Sequence, residues 1–187
     1  MENGLSKRIV TNKIAALWHK RERQIHGYIA QTVGLLFKKV KEFDIDTIVV
    51  GCNAGWKQNS HMGKKNNQKF VQIPFHKLIA AIENKCIKEG IRFFKQEESY
   101  TSKASFLDKD PVPVWSKDDR TQYRFSGKRI TRGLYQSKAG TCIHADINGA
   151  LNTLQKSQVV ELDGNLKVKT PILLEVQKRK AVASRIA

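Results

Sequence analysis

DTIVVG at residues 46–51 and IRFFKQE at residues 91–97 are the two stretches that decide the fold. Each is a short run rich in β-branched or aromatic side chains, which is typical of a strand. Between them, Pro74 stands where a helix would begin and Gly90 where that helix would end. The order strand, loop, helix, strand predicts an α/β fold in which both strands belong to one sheet.

In front of the first strand, residues from about 5 to 43 have the pattern of a long helix, which could break near Gly27 or Gly34. Apolar residues recur at three- and four-residue steps, and basic residues fill the opposite side. The apolar set is Ile14, Leu17, Trp18, Ile25, Ile29, Val33, Leu36, Phe37 and Val40. The pattern predicts a basic helical segment over residues 1–45.

We expect the core to occupy residues 46–156 and to contain an irregular insertion at about 103–141, which is rich in proline, glycine, aromatic and charged residues. Residues 144–155 (HADINGALNTLQ) are predicted to be a helix with Ile147, Leu151 and Leu154 on its apolar face. Residues 157–187 form a C-terminal tail, with a strand pair expected around Asp163–Gly164.

The composition favours a polyanionic partner. The chain has 34 Lys and Arg against 17 Asp and Glu, a formal net charge of +17, and such an excess is typical of proteins that bind nucleic acid. A membrane partner is not expected, because there is no long apolar run and no lipidation signal. Cys52, Cys86 and Cys142 are scattered, which suits a cytoplasmic chain with cysteines used for packing and excludes a zinc site built from paired cysteines.

Two acidic features could carry chemistry. Glu97 and Glu98 stand at the end of the second predicted strand, and Asp146 stands at the start of the 144–155 helix. Carboxylate oxygens from a strand end and a helix start can together hold a divalent metal. The ordinary alternatives are a solvated glutamate doublet and an aspartate that caps a helix. The spacing alone favours these alternatives.

Five stretches occur together in an order and with a spacing that resemble the C-terminal half of the TnpB/OrfB family, transposon-associated relatives of Fanzor proteins and type V CRISPR effectors. They are IVVGCNAGWKQ (48–58), NNQKFVQIPFHKL (66–78), EESYTSKASFLD (97–108), FSGKRITRGLY (125–135) and ADINGALN (145–152). The resemblance covers roughly residues 5–155. It implies a RuvC-like domain of the RNase H fold, here without its first strands.

The resemblance also implies a nuclease site in which Asp, Glu and Asp surround Mg²⁺. The last Asp belongs to a D-x-N-[GA]-A motif, which matches Asp146 to Ala150. The usual Glu follows the first strand predicted here, but this chain has Gly51 at that place. Some branches resemble Fanzor proteins in supplying the Glu before a Thr-Ser pair instead, which makes Glu98 the first choice and Glu97 the second. No stretch matches the I-G-I-D-x-G motif that carries the first Asp.

Two further departures from the family pattern affect the expected ligands. The family often has a zinc ribbon that begins T-S-x-x-C-x-x-C, and the two cysteine positions are Ser105 and Asp108 here. No zinc is therefore expected, although the segment could keep the shape of the ribbon. Neither the motif with the first Asp nor the RNA-gripping N-terminal region of the family has a counterpart here. The chain is therefore expected to be a truncated form, inactive because it lacks the first catalytic Asp.

The resemblance implies an activity of Mg²⁺-dependent, RNA-guided DNA cleavage linked to transposition. DNA is the expected partner, guide RNA and a separately encoded N-terminal half are further candidates, and a nucleoid-associated, cytoplasmic location would suit them. The alternatives are a nuclease-dead nucleic-acid-binding protein and a non-functional fragment of a decayed transposase gene. The candidate nucleic-acid-binding residues are Lys57, Lys64, Lys65, Lys69, Arg129 and Arg132.

Overall fold

The structure is a computed structural model that describes residues 11–53, 74–162, 171 and 174–176. Helices and strands are mixed along the chain, so the predicted α/β class is confirmed. The elements are α1 (Asn12–Glu42), β1 (Thr47–Gly51), α2 (Phe75–Glu89), β2 (Arg92–Gln96), β3 (Lys128–Thr131), β4 (Leu134–Gln136), β5 (Cys142–His144) and α3 (Ala145–Ser157).

Helix α1 is continuous over 31 residues, and the break expected at Gly27 or Gly34 does not occur. A glycine inside a helix costs only about 1 kcal/mol relative to alanine. Packing of Val33 and Phe37 on the buried side of the helix offsets that cost. At the start of the helix, the Thr11 hydroxyl accepts a hydrogen bond of 3.3 Å from the amide of Ile14.

Strands β1 and β2 pair in parallel, with Val49 opposite Phe94, so the two predicted strands do belong to one sheet. Ile48 and Phe93 face α1 and α2, where they join an apolar core. Thr47, Val49 and Gly51 face the other way, toward α3. Helices therefore cover both faces of the parallel pair, which is the usual arrangement for parallel strands.

The predicted irregular insertion is wrong in part, because residues 128–144 form a three-stranded antiparallel sheet in the order β3-β4-β5. Tyr135 lies in its buried centre, and its hydroxyl donates to the carbonyl oxygen of Lys103 at 2.7 Å. Gly127 is required beside it, since a Cβ there would come within 2.6 Å of the Tyr135 ring. Cys142 is exposed on β5 and is not the packing residue that was expected, whereas Cys86 is buried.

Strand β5 leads directly into α3, which begins within one residue of the predicted position. Its buried side differs from the expectation: Ile147, Leu151 and Leu154 are only partly buried. The buried residues are Ala145, Asn148, Asn152 and Thr153. The strand pair predicted around Asp163–Gly164 lies outside the described residues. No helix in the described part of the chain is both long and apolar enough to cross a membrane.

Candidate metal and nucleic-acid site

Glu98 is held where the chain leaves the parallel sheet. The amide of Cys52 donates to the carbonyl oxygen of Gln96 at 2.8 Å, which extends the strand pairing by one step. The amide of Glu98 then donates to the side-chain oxygen of Asn53 at 3.0 Å. The carbonyl oxygen of Glu98 accepts from the Thr101 hydroxyl at 2.8 Å, which closes a turn after it. Both ends of the Glu98 backbone are therefore anchored.

The carboxylate of Glu98 lies over Gly51, the last residue of β1. A Cβ placed on Gly51 would overlap Oε2 of Glu98 and would lie 3.3 Å from its Cδ. The Glu98 side chain therefore occupies the space that a side chain at position 51 would fill.

Glu98 and its neighbour Glu97 have opposite electrostatic surroundings. Burial, followed by the negative charge of Glu97, raises the pKa of Glu98 above its usual range. Burial also acts to raise the pKa of Glu97, but hydrogen bonds from Lys156 and Ser99 outweigh it, and the net pKa of Glu97 is lowered. Glu97 thus already has a cation, whereas no donor within the described part of the chain reaches the Glu98 carboxylate.

Lys156 is the cation that pairs with Glu97. Its side chain is only 6% exposed and forms an ion pair with the Glu97 carboxylate. It also donates to the carbonyl oxygens of Ser99 at 3.2 Å and Pro113 at 2.8 Å. These three bonds use all the donors of the ammonium group and hold Lys156 against Glu97. Because Glu97 is already paired with this cation, it is the weaker candidate for a metal ligand.

Asp146 lies in the first turn of α3 but does not cap the helix. The ring nitrogen Nδ1 of His144 accepts from the Asp146 amide at 3.2 Å and fills the capping role. The Asp146 side chain is 82% exposed, and the nearest cation is Nη2 of Arg129, 3.7 Å from its Oδ1. Its oxygens are therefore open to a ligand, and the capping alternative does not apply.

The structure places Glu98, Asp146 and Arg129 on the wall of one open cavity of about 790 Å³. The end of β1, the turn at 98–102 and the first turns of α3 form the rest of that wall. Two accessible carboxylates in a space of this size are a donor set that suits Mg²⁺. Within residues 11–53 and 74–162, no group of three or more His, Cys, Asp or Glu side chains converges as a ready-made metal site.

Arg129 lies on β3, Arg132 lies in the turn between β3 and β4, and both are exposed. The guanidinium of Arg129 donates to the carbonyl oxygen of Arg132 from Nε at 3.0 Å and from Nη2 at 2.6 Å. This bond holds Arg129 at the cavity, whereas Arg132 is not part of the cavity wall. The four candidate lysines, Lys57, Lys64, Lys65 and Lys69, lie outside the described residues.

Ser105 and Asp108, at the positions expected for ribbon cysteines, bind each other. The Ser105 hydroxyl donates to Oδ2 of Asp108 at 2.6 Å, and the amide of Lys138 donates to the same oxygen at 2.8 Å. The bond from Lys138 therefore joins the 105–108 turn directly to the β4–β5 turn.

From the sequence no role was assigned to Asn53, Asn148, Asn152 and Lys156, although Asn148 belongs to the matched motif at 146–150. Each of them binds the segment that carries Glu97 and Glu98 or the turn that follows it. A signal was present for three of them, since residues 148, 152 and 156 recur at four-residue steps and so share one face of a helix.

Comparison with known proteins gives two findings. Residues 75–153 match the family model described as Cas12f1-like, TNB domain. The chain is also 28% identical over 156 residues to the TnpB-like protein ORF457 of Acidianus two-tailed virus. That alignment covers 83% of this chain and 29% of the viral protein, so the chain spans less than a third of the length of this relative.

Proposed function

Because this chain is a member of the TnpB family, we propose that it carries part of the metal centre of a transposon-associated, RNA-guided DNA endonuclease. In this proposal the domain is RuvC-like, with an RNase H-type fold. Glu98 and Asp146 hold Mg²⁺ in the cavity between β1 and α3. DNA is the substrate, and a guide RNA is a partner of the complete assembly.

The observation that carries the proposal is that the Glu98 side chain occupies the space of a side chain at position 51. The family resemblance expects a glutamate at position 51, and the carboxylate of Glu98 fills the space beside that position. We infer that Glu98, from the turn after β2, supplies the carboxylate expected at that position. Asp146, which matches the last Asp of the family motif, lines the same cavity.

Each residue of the site has a chemical task in this proposal. Divalent ions in such a site activate water and stabilise the leaving oxygen in phosphodiester hydrolysis. Glu98 and Asp146 supply oxygen ligands, and their turn and helix set the separation between those ligands. Arg129, which lies at the cavity, neutralises a phosphate of the bound strand. Lys156 keeps Glu97 paired, so that Glu98 is the carboxylate left to bind metal.

We also propose that this chain by itself cleaves no DNA. The resemblance requires a third carboxylate in an I-G-I-D-x-G motif, and no stretch of this sequence matches it. Loss of a group that acts mainly in the transition state can reduce a rate by orders of magnitude. A separate polypeptide with that motif should restore cleavage, and Asp146→Ala should then abolish it.

The decisive experiment moves the glutamate. Mn²⁺ binding is measured by electron paramagnetic resonance for the wild type, Glu98→Ala, and the double variant Gly51→Glu with Glu98→Ala. We expect Glu98→Ala to weaken binding at least about tenfold and the double variant to regain most of the affinity. Glu161→Ala, at an exposed glutamate, is the control for lost charge. Equal Mn²⁺ affinity in the wild type and Glu98→Ala would contradict the proposal.

The net charge favours a second candidate function, binding of nucleic acid without cleavage. With a formal net charge of +17, the chain should bind DNA or RNA with little sequence preference. Affinity should fall steeply between about 50 and about 200 mM salt, because bound phosphates release counterions. Electrophoretic shifts measure this, and absence of any shift at low salt would exclude this function.

A further inference from the structure

Three residues on α3 contact a single stretch of chain. Asn148, Asn152 and Lys156 are spaced four residues apart, so they form one stripe along the helix. All of the hydrogen bonds that their side chains form go to residues 97–106 and to Pro113. Glu98 lies within that stretch, and Asp146 lies two residues before the stripe begins.

The two asparagines hold the backbone of the turn that follows Glu98. Asn148 accepts from the amide of Phe106 at 3.0 Å and donates to the carbonyl oxygen of Ala104 at 2.8 Å. Asn152 donates to the carbonyl oxygens of Thr101 at 2.8 Å and Ala104 at 2.7 Å. Both side chains are 0% exposed, so solvent cannot replace these bonds if the turn moves.

Lys156 holds the other end of the same stretch. It binds the Glu97 carboxylate and the carbonyl oxygen of Ser99, the residues on either side of Glu98. Glu98 therefore lies between the two contacts of Lys156, and the contacts of Asn152 follow it in the chain. Hydrogen bonds are directional and a buried polar group without its partner is costly, so the stripe favours one position of residues 97–106.

We propose that Asn148, Asn152 and Lys156 are positioning residues that fix Glu98 relative to Asp146. They bring the strand-end carboxylate to the helix that carries the other carboxylate, and so set the spacing of the two ligands. This inference rests on the proposed function, because it assigns the spacing a role in metal binding. Apolar residues at the three positions could fill the same space, but they would not set a unique distance between the Glu98 and Asp146 carboxylates.

Asn152→Asp is the main test, since it keeps the size of the side chain and turns a donor into an acceptor that faces two carbonyl oxygens. We expect Mn²⁺ affinity to fall about tenfold, although an added negative charge would by itself strengthen cation binding. Gln155→Glu makes the same chemical change at an exposed position of the same helix and should not weaken binding. Lys156→Arg should retain more affinity than Lys156→Met, because it keeps the cation.

Amide hydrogen exchange of the metal-free protein is the second readout. Asn152→Asp should speed exchange at residues 98–106 and leave the core between α1 and α2 unchanged. Circular dichroism verifies the fold, and Asn152→Ser, which keeps a short donor, replaces the variant if it does not fold.

The outcomes separate the two proposals. Unchanged exchange at 98–106 would overturn the positioning role, whether or not metal binds. Faster exchange with unchanged Mn²⁺ affinity would also overturn it, since the stripe would then be structural alone. If the wild type binds no Mn²⁺, the proposed metal centre fails, and so does the assigned role of the spacing. Faster exchange together with weaker binding in Asn152→Asp, but not in Gln155→Glu, supports both.

Discussion

The two faces of the β1–β2 sheet are held by different forces. On one face, α1 and α2 meet the sheet through an apolar core of Val33, Phe37, Val40, Ile82 and Cys86. On the other face, α3 and the turns at 97–110 meet through buried polar groups. The most buried of these are Ser105, Asn148 and Asn152.

The two faces therefore have different roles: one stabilises the fold, and the other sets the positions of the carboxylates. Apolar burial is non-directional and roughly proportional to area, so the α1–α2 face stabilises the fold without fixing any one atom. Hydrogen bonds depend on distance and angle, so the α3 face sets where the carboxylates lie. The apolar face should therefore tolerate changes that keep volume, whereas the polar face should be sensitive to changes that keep volume but alter donors.

The largest effect should come from the apolar face. Phe37 is 3% exposed, and Phe37→Ala should lower the free energy of unfolding by about 3–5 kcal/mol, because it leaves a cavity in the core. Urea denaturation measures the change. Phe43→Ala, at a side chain that is 56% exposed, is the control and should cost much less. Similar losses in the two variants would show that the apolar core is not the main support.

On the polar face, Asp110→Asn should cost about 1–3 kcal/mol, which is typical when buried hydrogen bonds to a polar group are lost. The Asp110 carboxylate accepts from the amides of Ser105 and Ser126, each at 2.9 Å, and from the Ser126 hydroxyl at 2.6 Å. The amide group of the variant would face three donors. Asp118→Asn, at an exposed aspartate, is the control in the same denaturation experiment.

The same carboxylate predicts a pH dependence. Burial acts to raise the pKa of Asp110, but hydrogen bonds from Ser126 and Ser105 outweigh it, so the net pKa is lowered. A lowered pKa stabilises the fold above the pKa of the unfolded state, about 3.9 for aspartate. That contribution is lost as the pH falls through the folded pKa. The stability difference between wild type and Asp110→Asn should therefore shrink below about pH 4, and a constant difference would contradict the assignment.

Gly51→Ala should separate stability from metal binding. The new Cβ meets the end of the Glu98 side chain, which can move aside, so the free energy of unfolding should change by less than about 1 kcal/mol. Mn²⁺ affinity should fall about tenfold, because the displaced carboxylate is the proposed ligand. Gly34→Ala is the control, since nothing lies within 4 Å of its added Cβ. Loss of stability without loss of metal binding would argue against Glu98.

The smallest effect is expected from a zinc chelator, and it concerns the 105–108 turn, which stands where the family often has a zinc ribbon. Because the Asp108 carboxylate accepts directly from the Ser105 hydroxyl and the Lys138 amide, a zinc-selective chelator should change the free energy of unfolding by less than about 0.5 kcal/mol. Asp108→Ala should cost about 1–3 kcal/mol, since it removes the shared acceptor. A marked loss of stability on chelation would instead indicate a structural metal.

Features with local signals could be predicted from the sequence. The β-branched run that forms β1 is one, and the end of α2 is another, because Gly90 adopts the left-handed conformation that favours glycine, with φ of 70°. The sequence left open a break in α1 at Gly27 or Gly34, because the packing around Phe37 is not visible in the local pattern. The β3–β4 hairpin was missed because its strands are short and largely exposed.

The candidate site could be predicted only in outline. Motif positions and the family resemblance selected Glu98 and Asp146, and the structure brings both to one cavity. The choice between Glu97 and Glu98 depends on Lys156, which lies 59 residues from Glu97 in the chain. Asn148 and Asn152 look like surface residues in the sequence, because their partners are backbone atoms 42 to 51 residues away.

The parallel pairing of β1 and β2 has a consequence for the order of folding. Parallel strands need a long connection, and the contact between Glu98 and Asn53 closes a loop of 45 residues. Helices form within about a microsecond from local contacts, whereas distant contacts must first overcome the entropy of loop closure. The hydrogen bonds between α3 and the turn at 101–106 all join residues 42 to 51 positions apart, so they belong to these slowly formed distant contacts. During synthesis on the ribosome, Glu98 therefore cannot be fixed against Asp146 until α3 itself has been made.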